Sequence, residues 1–324
     1  MIGQVCNACG SSQTAPCFEN LDYISGERFS IVRCTQCGLT RTLFPYDLSA
    51  MERYHGTAYY GEDGRRFVGV MEWAVRAFRD ARARHIRRLR PDGSPGAILD
   101  VGCGRGLILI DLQAHGWQCS GTEISEILAT RLERDHGIPV YTAPFLPDNH
   151  LPAESQDVIL LWHSLEHLAQ PADTLAECVR LLRPGGRMII EVPNLASWQA
   201  RLGGGSWFHL DTPRHLYHFS ADTLRALCTR RGLQVLTQTT LSLEQGYYGL
   251  IQTLLNHVTR HPNILYQMLK RQPPRAPGSG RDIGITLALL PLIVPLAFIA
   301  ETLAVIAGRG AVIQLTLEKP PAQG

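Results

Sequence analysis

Net charge is scarce in this 324-residue chain: 31 Lys and Arg against 29 Asp and Glu leave a formal +2 at neutral pH. Proteins that hold generic polyanions concentrate positive charge, so this balance excludes that class, and no specific nucleic-acid partner is expected. The first ten residues, MIGQVCNACG, also lack an apolar run. A secretory leader would need one there, so the protein is expected in the cytoplasm. What the chain does have is 45% hydrophobic residues. That is enough for a core of ordinary domain size, roughly 100 to 200 residues, with appendages besides.

The most informative stretch is AILDVGCGRG, from Ala97 to Gly106. Ala97 to Val101 reads as a buried strand, and Gly106 to Gly116 as the helix that follows. Gly102, Gly104 and Gly106 let the turn between them run close to a ligand without side chains in the way. A dinucleotide site wants G-x-G-x-x-G, and here Leu107 stands where its last glycine would be. An NAD-dependent oxidoreductase is therefore disfavoured. Asp100, at the end of the strand, suits a ligand with an ammonium group and no phosphates. The second strand, Gln118 to Thr122, delivers Glu123 at its carboxyl end, where a carboxylate can take both hydroxyls of a ribose. S-adenosylmethionine has both features. The candidate cofactor set is Asp100, Gly102, Cys103, Gly104, Gly106, Glu123, Ile124 and His163.

With these motifs the chain resembles the class I S-adenosylmethionine-dependent methyltransferases. A third strand falls near Pro139 to Ala143, and DVILLWHSLEH from Asp157 to His167 looks like the family's fourth strand and following loop. LLRPGG, from Leu181 to Gly186, looks like its helix-ending turn and feeds a fifth strand, Arg187 to Val192. The segment Asp211 to Ser220 is similar to a stretch found in one broad bacterial subfamily. Four motifs in the right order make coincidence a poor explanation. The resemblance implies a Rossmann-like α/β fold with a seven-stranded sheet, and an enzyme. A helix capped by Ser220, with Leu224, Leu227 and Cys228 facing inward, precedes a sixth strand, Leu233 to Leu241. The seventh, antiparallel strand is expected at Ala311 to Leu317.

Methyl transfer asks mainly that the acceptor be held in line with the methyl group. A hydroxyl acceptor also needs a base or a metal to take its proton. His163, Glu166 and His167 follow the fourth strand, at a carboxyl end where open α/β sheets bind ligands. The ubiquinone-type O-methyltransferases, which this part resembles, hold a divalent ion there with two glutamates and a histidine. Here His163 takes the first glutamate's place, so two readings stand: a second divalent ion near Glu166 and His167, or Glu166 and His167 bracing the next helix while His163 faces the substrate. Arg214, His215 and His218 form another polar cluster. Arg214 could bind a carboxylate or phosphate on the acceptor and either histidine could serve as base, or the three could tie the insertion to the sheet through hydrogen bonds. The glycine-rich, aromatic loop Gly203 to His209 could rearrange over an acceptor.

Cys6-x2-Cys9 and Cys34-x2-Cys37 have the spacing of a zinc ribbon, with four thiolates for one structural ion. Arg28 to Arg33 and Leu39 to Leu43 are expected to pair as its hairpin. Two redox pairs are the other reading, but no thioredoxin-like βαβ pattern surrounds them. Cys17, Cys103, Cys119, Cys178 and Cys228 read as small buried residues.

The division expected is 1–45 zinc ribbon, 46–96 linker and basic helix, 97–243 with 311–319 methyltransferase core, and 244–310 an apolar helical insertion. In the linker, Phe67, Val70, Met71, Ala74, Phe78 and Ala81 recur at helical spacing, and Tyr59 and Tyr60 are candidates to close over the cofactor. The stretch 284–308 is long enough to span a bilayer. Pro291 and Pro295 break the run, however, and strands on both sides of the insertion require the chain to return. A kinked hairpin fits better, in contact with a membrane surface, with the second subunit of a homodimer, or with the substrate. The function read is methyl transfer to a small-molecule or lipid- or carrier-linked acceptor, more readily at oxygen than at carbon, by a protein that is cytoplasmic or peripheral on the cytoplasmic membrane face. A non-catalytic scaffold with a vestigial pocket is the other class, and the presence of both Asp100 and Glu123 counts against it.

Overall fold

A computed structural model describes residues 5–44, 54, 69–90, 92–143, 146–270 and 278–321, without the side chains of helical residues 69–76. Tyr59 and Tyr60 lie outside the described residues. The chain opens with β1 (Thr14–Leu21), β2 (Arg28–Cys34) and β3 (Thr40–Thr42), followed by α1 (Gly69–Arg87). A βα alternation comes next: β4 (Ala97–Val101), α2 (Leu107–Gln113), β5 (Gln118–Thr122), α3 (Glu126–His136), β6 (Val140–Tyr141), β7 (Gln156–Trp162), α4 (Pro171–Leu181) and β8 (Leu182–Pro193). After it come α5 (Trp198–Gly203), β9 (Tyr217–His218), α6 (Ala221–Thr229), β10 (Gln234–Thr239), α7 (Gly246–Val258), α8 (Ile264–Leu269), α9 (Ser279–Ile306) and β11 (Val312–Glu318).

The chain divides into two compact units, 1–75 with 193–221 and 240–313, and 76–192 with 222–239 and 314–324. The second holds the seven-stranded sheet, in the order β10-β11-β8-β7-β4-β5-β6. Strands β6, β5, β4, β7 and β8 run parallel, and β10 pairs antiparallel with β11. The expected sixth and seventh strands are therefore present as read. Strand order reverses at β4: β5 and β6 lie to one side, β7 and β8 to the other. In open α/β sheets this reversal opens a crevice beyond the strands' carboxyl ends. Continuous apolar runs such as Val158 to Leu161 are fully buried, as strands covered on both faces require. Helices α1, α2 and α3 close one core against this sheet, with Ile86, Leu109 and Leu132 meeting Ile98, Leu160 and Ile189.

Three local expectations differ. Within α1 the inward residues are Ala83 and Ile86, whereas Ala81 is exposed. The helix is rotated so that Arg82 lies over the Trp162 ring, 3.7 Å from its centroid. LLRPGG is not a closed turn: Leu182 begins β8 directly, and a bulge opposite Gln156 to Val158 absorbs the extra residues. Cys17 is exposed, because it sits at the bulge in β1 between Pro16 and Phe18.

The first unit contains a four-stranded sheet, β1-β2-β3-β9. The predicted hairpin is present as β2 on β3, with Ile31 opposite Thr42 and Arg33 opposite Thr40. β1 adds to the outer side of β2, and the short β9 adds to β3. Four sulfurs close the ribbon. Cys6 Sγ lies 3.5 Å from Cys37 Sγ, Cys9 Sγ lies 3.6 Å from Cys34 Sγ, and all four fall within 4.8 Å of one another. A tetrahedron of thiolates about 2.3 Å from a zinc ion has edges of about 3.8 Å, so the donor set fits that ion.

The insertion in this unit is helical, as expected, but unbroken where a kink was anticipated. Pro291 and Pro295 both lie inside the 28-residue α9. Both are exposed, so the bond each removes from the helical ladder is lost on the outer side rather than in the packed one.

Candidate cofactor and active site

Each residue of the glycine turn has a steric reason. Gly102, Gly104 and Gly106 all have positive φ, at 81°, 55° and 62°. A Cβ on Gly102 would lie 2.8 Å from Ser164 Cβ, and one on Gly106 would fall inside the Leu132 side chain. The turn is held by the neighbouring strand: Gly102 N–H and Cys103 N–H both donate to Thr122 O, at 3.0 and 2.9 Å. Cys103 turns its thiol inward, filling the space that a Cβ on Gly121 would need. Burial, with Asp100 and Glu123 nearby, pushes that thiol's pKa up.

Glu123 follows β5 and bridges two loops. Its Oε2 accepts from Gly104 N–H at 2.9 Å and its Oε1 accepts from Ser125 N–H at 2.9 Å. Ile124 beside it is exposed, an apolar surface at the strand's end. Asp100 is buried, and burial raises its pKa to about 7; Arg82 works against that shift and Glu123 adds to it. A cation beside this carboxyl would favour its charged form and offset the cost of burial. Ser164 Oγ is buried beside Gly102 and, among the described residues, has no hydrogen-bond partner. The glycine cradle, the high carboxyl and this orphaned hydroxyl together fit a cationic nucleoside ligand. Sequence reading missed Ser164 and Arg82. Their signals were only a hydroxyl one residue past His163 and one arginine among many on a helix.

His163 follows β7 with φ at 51°, a left-handed conformation that a non-glycine residue seldom adopts. Its N–H donates to Glu191 O at 2.8 Å. The ring lies between two buried carboxylates, with Nδ1 3.2 Å from Glu166 Oε1 and Nε2 3.1 Å from Glu191 Oε1. The far oxygen of Glu191 accepts from Gln314 Nε2 at 2.9 Å. Burial alone would lower the His163 pKa, but the two carboxylates outweigh it and hold the imidazole protonated up to about 10. With both nitrogens donating, the ring has no lone pair for a metal ion or for another proton. In this arrangement His163 is neither the general base nor a metal ligand, and its place is that of a brace between two acids. His167 lies in the short 3-10 turn that follows.

In the other unit, Arg214 is wholly buried. It pairs with Asp22 and Asp211, each at 2.7 Å, so its charge is already compensated within the fold. His215 Nδ1 lies 2.9 Å from His209 O. Only a donor can bond a carbonyl, so Nδ1 carries a hydrogen. Thr42 Oγ1 donates to His215 O at 2.8 Å and so receives from His218 Nε2 at 2.9 Å. These bonds, with β9 on β3, tie segment 211–220 to the ribbon sheet rather than to the insertion. The loop Gly203 to His209 is packed: Trp207 is buried and its Nε1 donates to Gln199 Oε1 at 3.1 Å. A cavity of about 170 Å³ beside it is lined by Asn20, Tyr23, Asp211, Asn256 and Arg260 among others.

The methyltransferase-domain family matches residues 73–238, and the chain belongs to it, within the class I S-adenosylmethionine-dependent methyltransferases. These proteins are enzymes. Among curated proteins, the ubiquinone biosynthesis O-methyltransferase of Methylococcus capsulatus is 32% identical over 132 residues, covering 38% of this chain and 55% of that one. The protein of that name from Xanthomonas oryzae pv. oryzae is 29% identical over 140 residues, covering 40% and 57%. The match thus spans little more than half the length of these relatives. Among solved structures, a candidate sarcosine dimethylglycine methyltransferase from Galdieria sulphuraria superposes with a TM-score of 0.51 at 15% identity, over 84% of this chain and 98% of that one. That likeness concerns the fold alone.

Proposed function

We propose that the protein transfers the methyl group of S-adenosylmethionine to an oxygen of a small-molecule or lipid- or carrier-linked acceptor. The observation that carries this reading is the pair Asp100 and Glu123 at adjoining strand ends, around a glycine turn that leaves room for a nucleoside. When bound, the cofactor supplies an electrophilic methyl on a positively charged sulfur. Asp100 would hold the ammonium, Glu123 the ribose hydroxyls, and Ile124 would offer an apolar face to the adenine. An acceptor hydroxyl would have to give up its proton as it takes that methyl group.

His163 is a positioning residue. It holds Glu166 and Glu191 in place, and the three carry a net negative charge that favours a cationic ligand over its neutral product. The curated relatives are O-methyltransferases in ubiquinone synthesis, which supports oxygen as the acceptor atom. The experiment is incubation of the purified protein with methyl-labelled cofactor and an extract of its own cells, followed by identification of the labelled product. Label on a carbon or nitrogen would overturn the choice of oxygen. Absence of binding to either the cofactor or its demethylated product by calorimetry would overturn methyl transfer itself.

A further inference from the structure

Helix α9 has its polarity reversed. In a helix at the surface of a water-soluble domain, charged residues face out and apolar ones face in. Here Asp282, Thr286 and Glu301 are buried, while Leu292, Leu296, Phe298, Ile299, Leu303 and Ile306 are more than half exposed. Packing does not remove this face: α9 meets α7 and α8 through Ile293 and Ala297, which pack with Leu250, Leu255 and Leu265 on its other side.

The buried acids pin the helix at both ends. Glu301 Oε2 accepts from Gln199 Nε2 at 3.0 Å and its Oε1 from Ala311 N–H at 2.8 Å. Asp282 Oδ2 accepts from His261 N–H at 3.0 Å and lies 2.8 Å from His261 Nδ1. A helix fixed so cannot leave the fold to cross a bilayer alone. The insertion's two ends also meet, since Thr240 O occupies the space beside Gly310 where a Cβ would go.

The stretch from Leu287 to Ile306 is about 30 Å long at 1.5 Å per residue, and its one charged residue, Glu301, is buried, so its exposed face carries no charge. Cations stand beyond both of its ends. Arg281 is exposed at one. Arg309 is exposed at the other, where Trp198 N–H donates to Arg309 O at 3.1 Å. Trp198 and Leu202 are themselves exposed. Cationic ends, an apolar outer face without charge between them and a tryptophan at one boundary match an anionic lipid interface, in which a helix lies in the plane with its apolar face sunk below the headgroups.

We infer that the outer face of α9 is a docking surface for an anionic lipid bilayer, engaged in the plane of the membrane rather than across it. This goes beyond methyl transfer and does not rest on it. The test is flotation of the full-length, zinc-loaded protein with vesicles of phosphatidylethanolamine and phosphatidylglycerol, and separately of phosphatidylcholine alone. Two variants accompany it: L292Q/L296Q/I299Q/L303Q, all on the exposed face, and R281E/R309E. Zinc content and the melting transition report that each variant is folded. The expected result is flotation of the wild type with anionic vesicles, at least tenfold weaker partition of the quadruple variant, and a loss for the charge variant on anionic vesicles larger than on neutral ones. A wild type that stays unbound to both vesicle types overturns the inference. So does a wild type that is dimeric by light scattering and becomes monomeric in the quadruple variant without ever floating, since a second copy of the chain then covers the face.

Discussion

His163 and Glu191 are joined twice: the backbone N–H of His163 reaches Glu191 O at 2.8 Å, and its ring Nε2 lies 3.1 Å from Glu191 Oε1. One bond sets the left-handed backbone and the other sets the charge. The ring's pKa is raised above its free value of 6.5 to about 10. Its stabilisation is therefore fully present below pH 6.5 and is lost as pH rises through about 10. Replacing Glu191 with Gln removes one of the two charges. The His163 ring should then titrate at lower pH, seen in the NMR shift of its ring protons, and the alkaline loss of stability should begin earlier. An unchanged titration would show that Glu191 does not hold the proton.

Asp100 carries the opposite consequence for binding. Its carboxyl titrates at about 7, and a cationic ligand favours its ionised form. Affinity for S-adenosylmethionine should rise with pH from 6 to 8, and at pH 6 should be about tenfold below its limit. Binding near neutrality should release a proton, measurable by calorimetry in buffers of different ionisation heat. Asp100→Asn should remove the pH dependence and weaken binding by roughly ten- to a hundredfold, about 1.4 to 2.8 kcal/mol.

Gly106 combines a positive φ with the Leu132 side chain where a Cβ would go. Gly106→Ala should destabilise the sheet unit by about 1 to 3 kcal/mol, read as a lower melting temperature and weaker cofactor binding together. Gly137 also has positive φ but nothing near its Cβ position. Its alanine variant should be milder and spare the cofactor site.

The sulfur tetrahedron predicts about one zinc per chain by elemental analysis. Cys34→Ser should lower the metal content and loosen β2 and β3, with loss of amide protection in the ribbon. Cys17→Ser, at an exposed position outside the tetrahedron, should change neither.

His163→Gln should weaken cofactor affinity in calorimetry, through the acids that the ring braces.

The central sheet was legible because burial on both faces forces unbroken apolar runs, as at Val158 to Leu161, and because its functional carboxylates stand at strand ends. Alternation in VIQLTL was enough to find the last strand across a long insertion. Other pairings left no such trace. β1, with the sequence TAPCFENL, has weak alternation, and β9 is only two residues long and is defined by β3, distant in the chain. At the site, Asp100 and Glu123 were readable from position alone. The role of His163 was not, because it depends on Glu191, 28 residues later and on another strand. Arg214 looked like an anion receptor until Asp22, 192 residues away, was seen to neutralise it.

The meeting of Thr240 and Gly310 has a bearing on how such a chain can diversify. An excursion that leaves and rejoins at one point imposes no register on the strands it interrupts. Its 69 intervening residues (241–309) could be shortened, exchanged or redecorated while β10 and β11 keep their pairing. The same catalytic sheet could thus be fitted to a different cellular surface by changing that one graft.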